Sequence, residues 1–315
     1  LSACASAMLL YGFALIYAAT GELSYAGIGA KGALAYIENP MLIMAGSAMV
    51  LAGIGFKLSV APFHMWTPDV YQGAPTPVTG FLATVSKGAV FVALSRFYID
   101  GGLDQYSGLN TALVVLAIAS MLAGNWLALR QENIKRLLAY SSIAHFGYLL
   151  VVLIALTYVD AGLVSQSITF YLTAYMVTTL AAFTVVSTVA GEDTAKQDIS
   201  AFEGLFWHRP LEASALTVAM LSLAGIPLTA GFMAKFFVIT LGIKSGLWGL
   251  LAALVVGSAV AIYYYLRVIY AMSKSTESTG ESANRLEKLL ALVLLASILV
   301  LGSWPQPFIA YAGGL

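Results

Sequence analysis

Apolar residues run along this chain in long stretches broken only by short polar turns. Runs of about 20 such residues, each long enough to cross a bilayer core, fall near 1–20, 41–65, 77–98, 109–129, 134–158, 166–190, 211–243, 246–271 and 286–304. The pattern predicts an all-α fold, a polytopic transmembrane helical bundle of about nine spans that forms a single integral membrane domain over residues 1–315.

Two runs depart from a plain span. The stretch 211–243 is about 33 residues, more than a tilted helix needs, and it contains Gly225, Pro227 and Gly231. Pro227 cannot bond back to the carbonyl of Leu223, and Pro62 likewise frees the carbonyl of Leu58, beside Lys57. Both helices are therefore expected to be broken, and unwound backbone at membrane depth is tolerated only inside protein or beside a wet cavity. A pair of interrupted helices in two halves points to an inverted-repeat transporter. The faint echo between Leu51–Ile54 and Leu223–Ile226, both LAGI and both leading into a proline and a lysine, agrees with that.

Alternation of the spans sorts the loops onto two sides. Those before 41 and at 99–108, 159–165 and 244–245 carry Lys31, Arg96 and Lys244 with their helix ends. Those near 66–76, 130–133, 191–210 and 272–285 carry Arg130, Lys135, Arg136, Lys196, Arg209, Arg267, Lys274, Arg285 and Lys288. The excess of basic residues assigns the second set to the cytoplasm.

Composition adds exclusions. With 60% hydrophobic and 10% charged residues, zero net charge and no basic run, nothing points to nucleic acid. One cysteine, Cys4, rules out a disulfide framework or a cysteine-based metal or redox cluster, so no metal is expected. The chain opens Leu-Ser-Ala-Cys without a basic leader, so its first run is expected to be a whole membrane helix at the start of a truncated chain, not a signal peptide. There is no Walker loop, no dinucleotide fingerprint and no haem-ligating histidine pair.

The candidate chemistry lies in lysines. Lys57, Lys87 and Lys235 fall inside apolar runs, where a cation costs roughly 2.5–3.5 kcal/mol on insertion scales. All fifteen acids are read as lying in loops or at helix ends. Three lysines without an internal counterion must give up protons part of the time or find an acid elsewhere, and either condition suits a proton carrier. His145 is the only histidine well inside a run, and Ser141, His145 and Tyr148 share one helix face. That line suits a water chain with His145 as relay, or equally interhelical hydrogen bonding. Tyr171, Tyr175, Thr178 and Thr179 form a weaker polar stripe, with Ser258 and Tyr265 as further path candidates. His64 and His208, beside Trp66 and Trp207, read as interfacial anchors.

The stretch Gly55–Val78 (GFKLSVAPFHMWTPDVYQGAPTPV) with Ala83–Lys87 (ATVSK) closely resembles subunit N of bacterial NADH:quinone oxidoreductase, respiratory complex I. Asn133–His145 (NIKRLLAYSSIAH), Gly204–Pro210 (GLFWHRP) and Tyr263–Arg267 (YYYLR) extend the resemblance over essentially the whole chain. It implies an antiporter-like fold of fourteen helices with two inverted five-helix repeats and two broken helices. This chain would begin at the sixth, with 1–100 ending the first repeat, 109–271 forming the second and 286–304 the final helix. Lys57 would match the broken-helix lysine of the first half-channel, Lys87 the lysine bridging to the centre and Lys235 the second-half lysine near the exit. The family places a glutamate partner on its fifth helix, so a chain lacking that helix is not expected to pump alone.

On this resemblance the chain would translocate protons in a bacterial inner membrane, beside adjacent antiporter-like and small membrane subunits. It would carry no cofactor, with NAD, FMN, iron–sulfur clusters and quinone in partner subunits. The rival readings are a multisubunit Na⁺/H⁺ antiporter subunit, which shares the fold, and a passive scaffold. The first would want clustered oxygens for a hard cation; the second gains nothing from three buried lysines.

Overall fold

The computed structural model describes residues 2–190, 197–275 and 284–312, so the predicted cytoplasmic Lys196 lies outside the described residues. Among the described residues it is helical, with one isolated backbone bridge between Asn133 and Asp198. In chain order the helices are α1 (Ser2–Thr20), α2 (Tyr25–Glu38), α3 (Pro40–Leu58), α4 (Thr67–Gly73), α5 (Thr76–Phe81), α6 (Lys87–Asp100), α7 (Ser107–Ala128) and α8 (Ile134–Ile154). They continue as α9 (Ala161–Ala190), α10 (Leu205–His208), α11 (Pro210–Ala224), α12 (Ala230–Lys244), α13 (Trp248–Ser273), α14 (Arg285–Ser303) and α15 (Gln306–Ala312).

Among the described residues eight segments are long and apolar enough to cross a membrane, and α11 with α12 supplies the ninth run as two half-helices. One of the eight joins α5 to α6 through a π-helical turn at Leu82–Ser86, directly before Lys87. Three boundaries differ from expectation, the first being that α9 begins at Ala161, inside the loop expected at 159–165. The run 41–65 is helical only to Leu58, where the chain turns and restarts as α4. The predicted loop before residue 41 contains α2, which Ser24 starts by accepting from the Gly27 N–H at 3.1 Å. Its buried Ile28, Gly32 and Ala35 share one face; at 14 residues, roughly 21 Å, it is too short to span.

The central element is α8. Nearly every residue of α8 is buried, whereas α14 at the periphery buries only Ala291, Ile298 and Gly302. A helix buried on every side belongs inside other helices, and α4, α7, α9, α12 and α13 all contact it. Small residues set the approach distances, as expected where packing drives association in lipid. A Cβ added at Gly124 of α7 would stand 2.7 Å from the Ala144 nitrogen and 2.8 Å from the Tyr140 oxygen on α8.

The loops sort as the alternation predicted. On one side Lys31 pairs with Glu22 at 2.5 Å, Tyr36 packs on Tyr106, and Asn110 reaches the Asp104 carbonyl at 2.7 Å. On the other, Ile199 donates to the Glu132 carbonyl at 2.8 Å, Arg136 pairs with Asp69 at 2.6 Å and Lys274 with Glu203 at 2.7 Å.

Gly124→Ala should therefore lower thermal stability in detergent by about 1–3 kcal/mol, the usual cost of overpacking. Gly249→Ala, where nothing lies within 4 Å, is the control; equal unfolding temperatures for the two variants would contradict this packing.

Candidate functional site

Both helix interruptions have the same construction. At the end of α3, Ser59 takes a left-handed conformation (φ 62°), its N–H donates to the Phe56 carbonyl at 3.1 Å, and the Val60 N–H donates to Gly55 at 3.0 Å. At the end of α11, Gly225 is left-handed (φ 85°), with Gly225 N–H to Ser222 and Ile226 N–H to Leu221, each 3.0 Å. This is the paired closure of a Schellman motif in each case. The helices thus end on the left-handed residue ahead of the prolines: Pro62 and Pro227 lie within the interruptions and keep the chain from resuming the helix. Gly225 is itself the turning residue. Gly231 belongs to α12, where a Cβ would stand 1.9 Å from the Ser222 carbonyl oxygen, so it lets the half-helices cross.

Side chains stitch each interruption. The Ala61 N–H donates to Ser120 of α7 at 2.9 Å, and the Trp66 indole donates to the Phe56 carbonyl at 3.0 Å. In the second, Ser222 Oγ accepts from the Gly231 N–H at 3.0 Å and lies 3.0 Å from Thr178 Oγ1.

Lys235 faces the second interruption. It is 6% exposed, its Nζ donates to the Ala224 carbonyl at 2.8 Å, and it sits 5.4 Å from the centre of the Tyr148 ring. Ala224 is the last residue of α11, so this ammonium meets the negative end of the helix dipole as well as a freed carbonyl. Lys87, 2% exposed, donates to Ser142 Oγ of α8 at 2.8 Å and lies 5.4 Å from the ring centres of both Tyr71 and Phe146.

Between the two amines runs the polar face of α8. His145 Nδ1 lies 2.8 Å from the Tyr171 hydroxyl, and its ring is 5.5 Å from those of Tyr148 and Tyr175. Tyr175 donates to the Ala83 carbonyl at 3.2 Å, beside the π-helical turn. A cavity of about 10 Å³, lined by His145, Tyr171, Thr178, Ser222 and Gly231 among others, is near the space of one water. On the far side Ser141 bonds the Tyr265 hydroxyl, while Asn125 donates to Tyr148 at 2.9 Å and accepts from Tyr264 at 3.0 Å. Ser258 Oγ, next to Gly257 in this cluster, is buried without a hydrogen-bond partner among the described residues.

The structure thus brings Lys87, Ser141, His145, Tyr148, Ser258, Tyr265 and Lys235 around one helix, and leaves Lys57 apart. Lys57 sits in the last turn of α3, only half-buried, and its amine has no hydrogen bond or ion pair among the described residues. The third fully buried lysine is Lys135, 0% exposed, which donates to the Ala74 carbonyl at the end of α4 at 2.6 Å. Lys135, expected among the cytoplasmic charges because it opens a helix, is buried by α4 folding over that end. Glu212 lies at a helix end as expected, in the first turn of α11, and is 2% exposed with Oε1 unpartnered among the described residues. His64 departs from its expected anchoring role, being buried 6.5 Å from the Tyr140 ring with neither ring nitrogen bonded among the described residues. Ser142, Ser222 and Asn125 went unnoticed in the sequence, although an asparagine inside an apolar run was a readable signal for the last. Among the described residues no ion pair includes Lys87, Lys135 or Lys235, and no three His, Cys, Asp or Glu side chains converge as metal ligands.

Amine-reactive labelling in detergent should acylate Lys57 well before Lys87, Lys135 and Lys235, read by peptide mass spectrometry. Equal labelling of all four would contradict the burial described.

Residues 1–261 match the family described as NADH:quinone oxidoreductase/Mrp antiporter, TM. The chain is 47% identical to NADH-quinone oxidoreductase subunit N of Methylococcus capsulatus, over its whole length and 64% of that protein; it therefore spans less than two thirds of this relative. It superposes on a chain of respiratory complex I from Thermus thermophilus with bound aureothin (TM-score 0.84, 37% identity, 98% of this chain and 66% of that one). It is similarly close to a chain of the membrane-bound sulfane sulfur reductase, an archaeal respiratory membrane complex (TM-score 0.85, 28% identity, 100% and 64%). A chain of the Mrp complex from Dietzia sp. shares the fold at 23% identity (TM-score 0.81, 99% and 65%).

Proposed function

The chain belongs to the NADH:quinone oxidoreductase/Mrp antiporter transmembrane family, and on that premise we propose that it is the proton-translocating part of an NADH:quinone oxidoreductase membrane subunit of type N. The observation that carries this reading is the placement of two buried, acid-free lysines, Lys87 and Lys235, on either side of α8 with His145 and tyrosine hydroxyls between them. Each amine holds one hydrogen-bond acceptor in place of water. Lys87 has the Ser142 hydroxyl and Lys235 the Ala224 carbonyl, so either can release H⁺ without stranding a carboxylate.

In this reading H⁺ passes between Lys87 and Lys235 by way of Ser142, His145, Tyr171 and the small cavity beside Ser222. Tyr148, with Ser141, Ser258 and Tyr265, hydrates or holds the exit side. Lys57 receives protons near the first interruption, and its half-exposure suits an entry position. The matching closures at Ser59 and Gly225 support a division into inverted halves, with 1–100 in the first, 109–271 the second and 286–304 the last helix. Electron transfer from NADH to quinone belongs to other subunits, which would hold NAD, FMN, iron–sulfur clusters and quinone. Charge movement there would change the proton affinity of the lysines. Adjacent antiporter-like and small membrane subunits of a bacterial inner membrane are the partners. The likeness to subunit N at 47% identity favours this reading over a self-sufficient Na⁺/H⁺ antiporter.

In the full-length protein within its assembly, Lys235→Ala should abolish most NADH-driven proton pumping in inverted vesicles while the assembly stays intact. Unchanged pumping would remove Lys235 from the path, and Na⁺-dependent H⁺ exchange without NADH or quinone would replace this reading with the antiporter.

A further inference from the structure

Away from α8, a second cavity of about 180 Å³ opens between α9, α12 and α15. Its body is apolar, formed by Leu163, Phe237, Leu241 and Ile309, and its polar lining is Lys244, Gln166, Ser167 and Thr240. Thr240 donates to its own helix at Phe236, whereas the side chains of Lys244, Gln166 and Ser167 make no hydrogen bond or ion pair among the described residues. Ser167 is 7% exposed as a residue, and it lines the cavity beside Lys244 and Gln166.

Position narrows the occupant. Lys244 ends α12, Leu163 lies near the start of α9, and the exposed Trp248 follows just beyond, so the polar mouth sits at a helix-end level where aromatic and basic side chains meet the headgroups. A cavity at a helix-end level, lined by one cation, three polar side chains and four apolar ones, matches the two chemistries of an acidic lipid. Water does not fit as the sole occupant, because the apolar lining leaves most molecules of such a cluster without partners. A cavity of comparable size, about 150 Å³, between α2, α3 and α7 offers a contrast: its lining has no charged residue, hence nothing to select a headgroup.

We propose that the α9–α12–α15 cavity binds one anionic phospholipid, its phosphodiester against Lys244 and Gln166 and an acyl chain between Leu163, Phe237, Leu241 and Ile309. The lipid would lie in the leaflet opposite the basic loops. Its binding is independent of proton transfer, so the failure of either proposal leaves the other standing.

The test uses the full-length protein in nanodiscs of phosphatidylcholine, with a trace of diazirine-tailed phosphatidylglycerol or diazirine-tailed phosphatidylcholine. Cross-linked peptides are mapped by mass spectrometry. Phosphatidylglycerol should label α9, α12 and α15 about fivefold more than phosphatidylcholine, the weight of one lysine beside an anionic headgroup. Lys244→Gln should equalise the two lipids and Lys244→Arg should keep the preference; Lys244 is exposed, so neither change threatens folding. Equal labelling by both lipids, a preference that survives Lys244→Gln, or a preference erased by excess inorganic phosphate would each overturn the proposal.

Discussion

The arrangement turns on the bond from Lys235 Nζ to the Ala224 carbonyl. A cation held in an apolar bundle loses its hydration, and a helix broken in the same place exposes carbonyls that have lost their partners. Each defect would be costly alone. Together the amine meets an oxygen at the negative end of α11 and the face of Tyr148, while Gly225 leaves room because its missing Cβ would stand 2.8 Å from Lys235 Cδ. The break and the lysine therefore depend on each other, and any account of function has to use both.

From that bond outward the molecule is organised by α8. Its burial on all sides forces its polar residues into contacts with neighbouring helices: Ser142 with Lys87 on α6, His145 with Tyr171 on α9, Ser141 and Tyr148 with the tyrosines and Asn125 of α13 and α7. Hydroxyls and an imidazole both donate and accept, so such a line can pass a proton and be restored by rotation of the same groups. A line of amide or guanidinium groups would hold structure without that property. The ion pairs sit at the ends of the bundle, and among the described residues none of them includes Lys87, Lys135 or Lys235.

Much of this was legible before any coordinates. Long apolar runs give membrane helices almost by necessity, and loops on one side, such as those bearing Arg136 and Lys274, do meet one another. Lys87, His145 and Lys235 stood out because polar groups in such runs are rare. What was not legible depended on tertiary placement. Lys135 opens a helix and looked like a loop charge until α4 covered it. Lys57 looked deeper than it is, since the apolar run 41–65 that contains it is helical only to Leu58. The breaks were assigned to prolines, whereas a left-handed serine and glycine close the helices; Ser59 carries no local signal for that conformation.

The central claim is that Lys87 and Lys235 serve one conduit. A double-mutant cycle on the full-length protein in its reconstituted assembly tests it, with Lys87→Gln, Lys235→Gln and the combination compared by initial rates of NADH-driven vesicle acidification. One conduit predicts that the double variant pumps no more slowly than the slower single variant. Residual rates that multiply, each lysine removing its own fraction, would contradict the account.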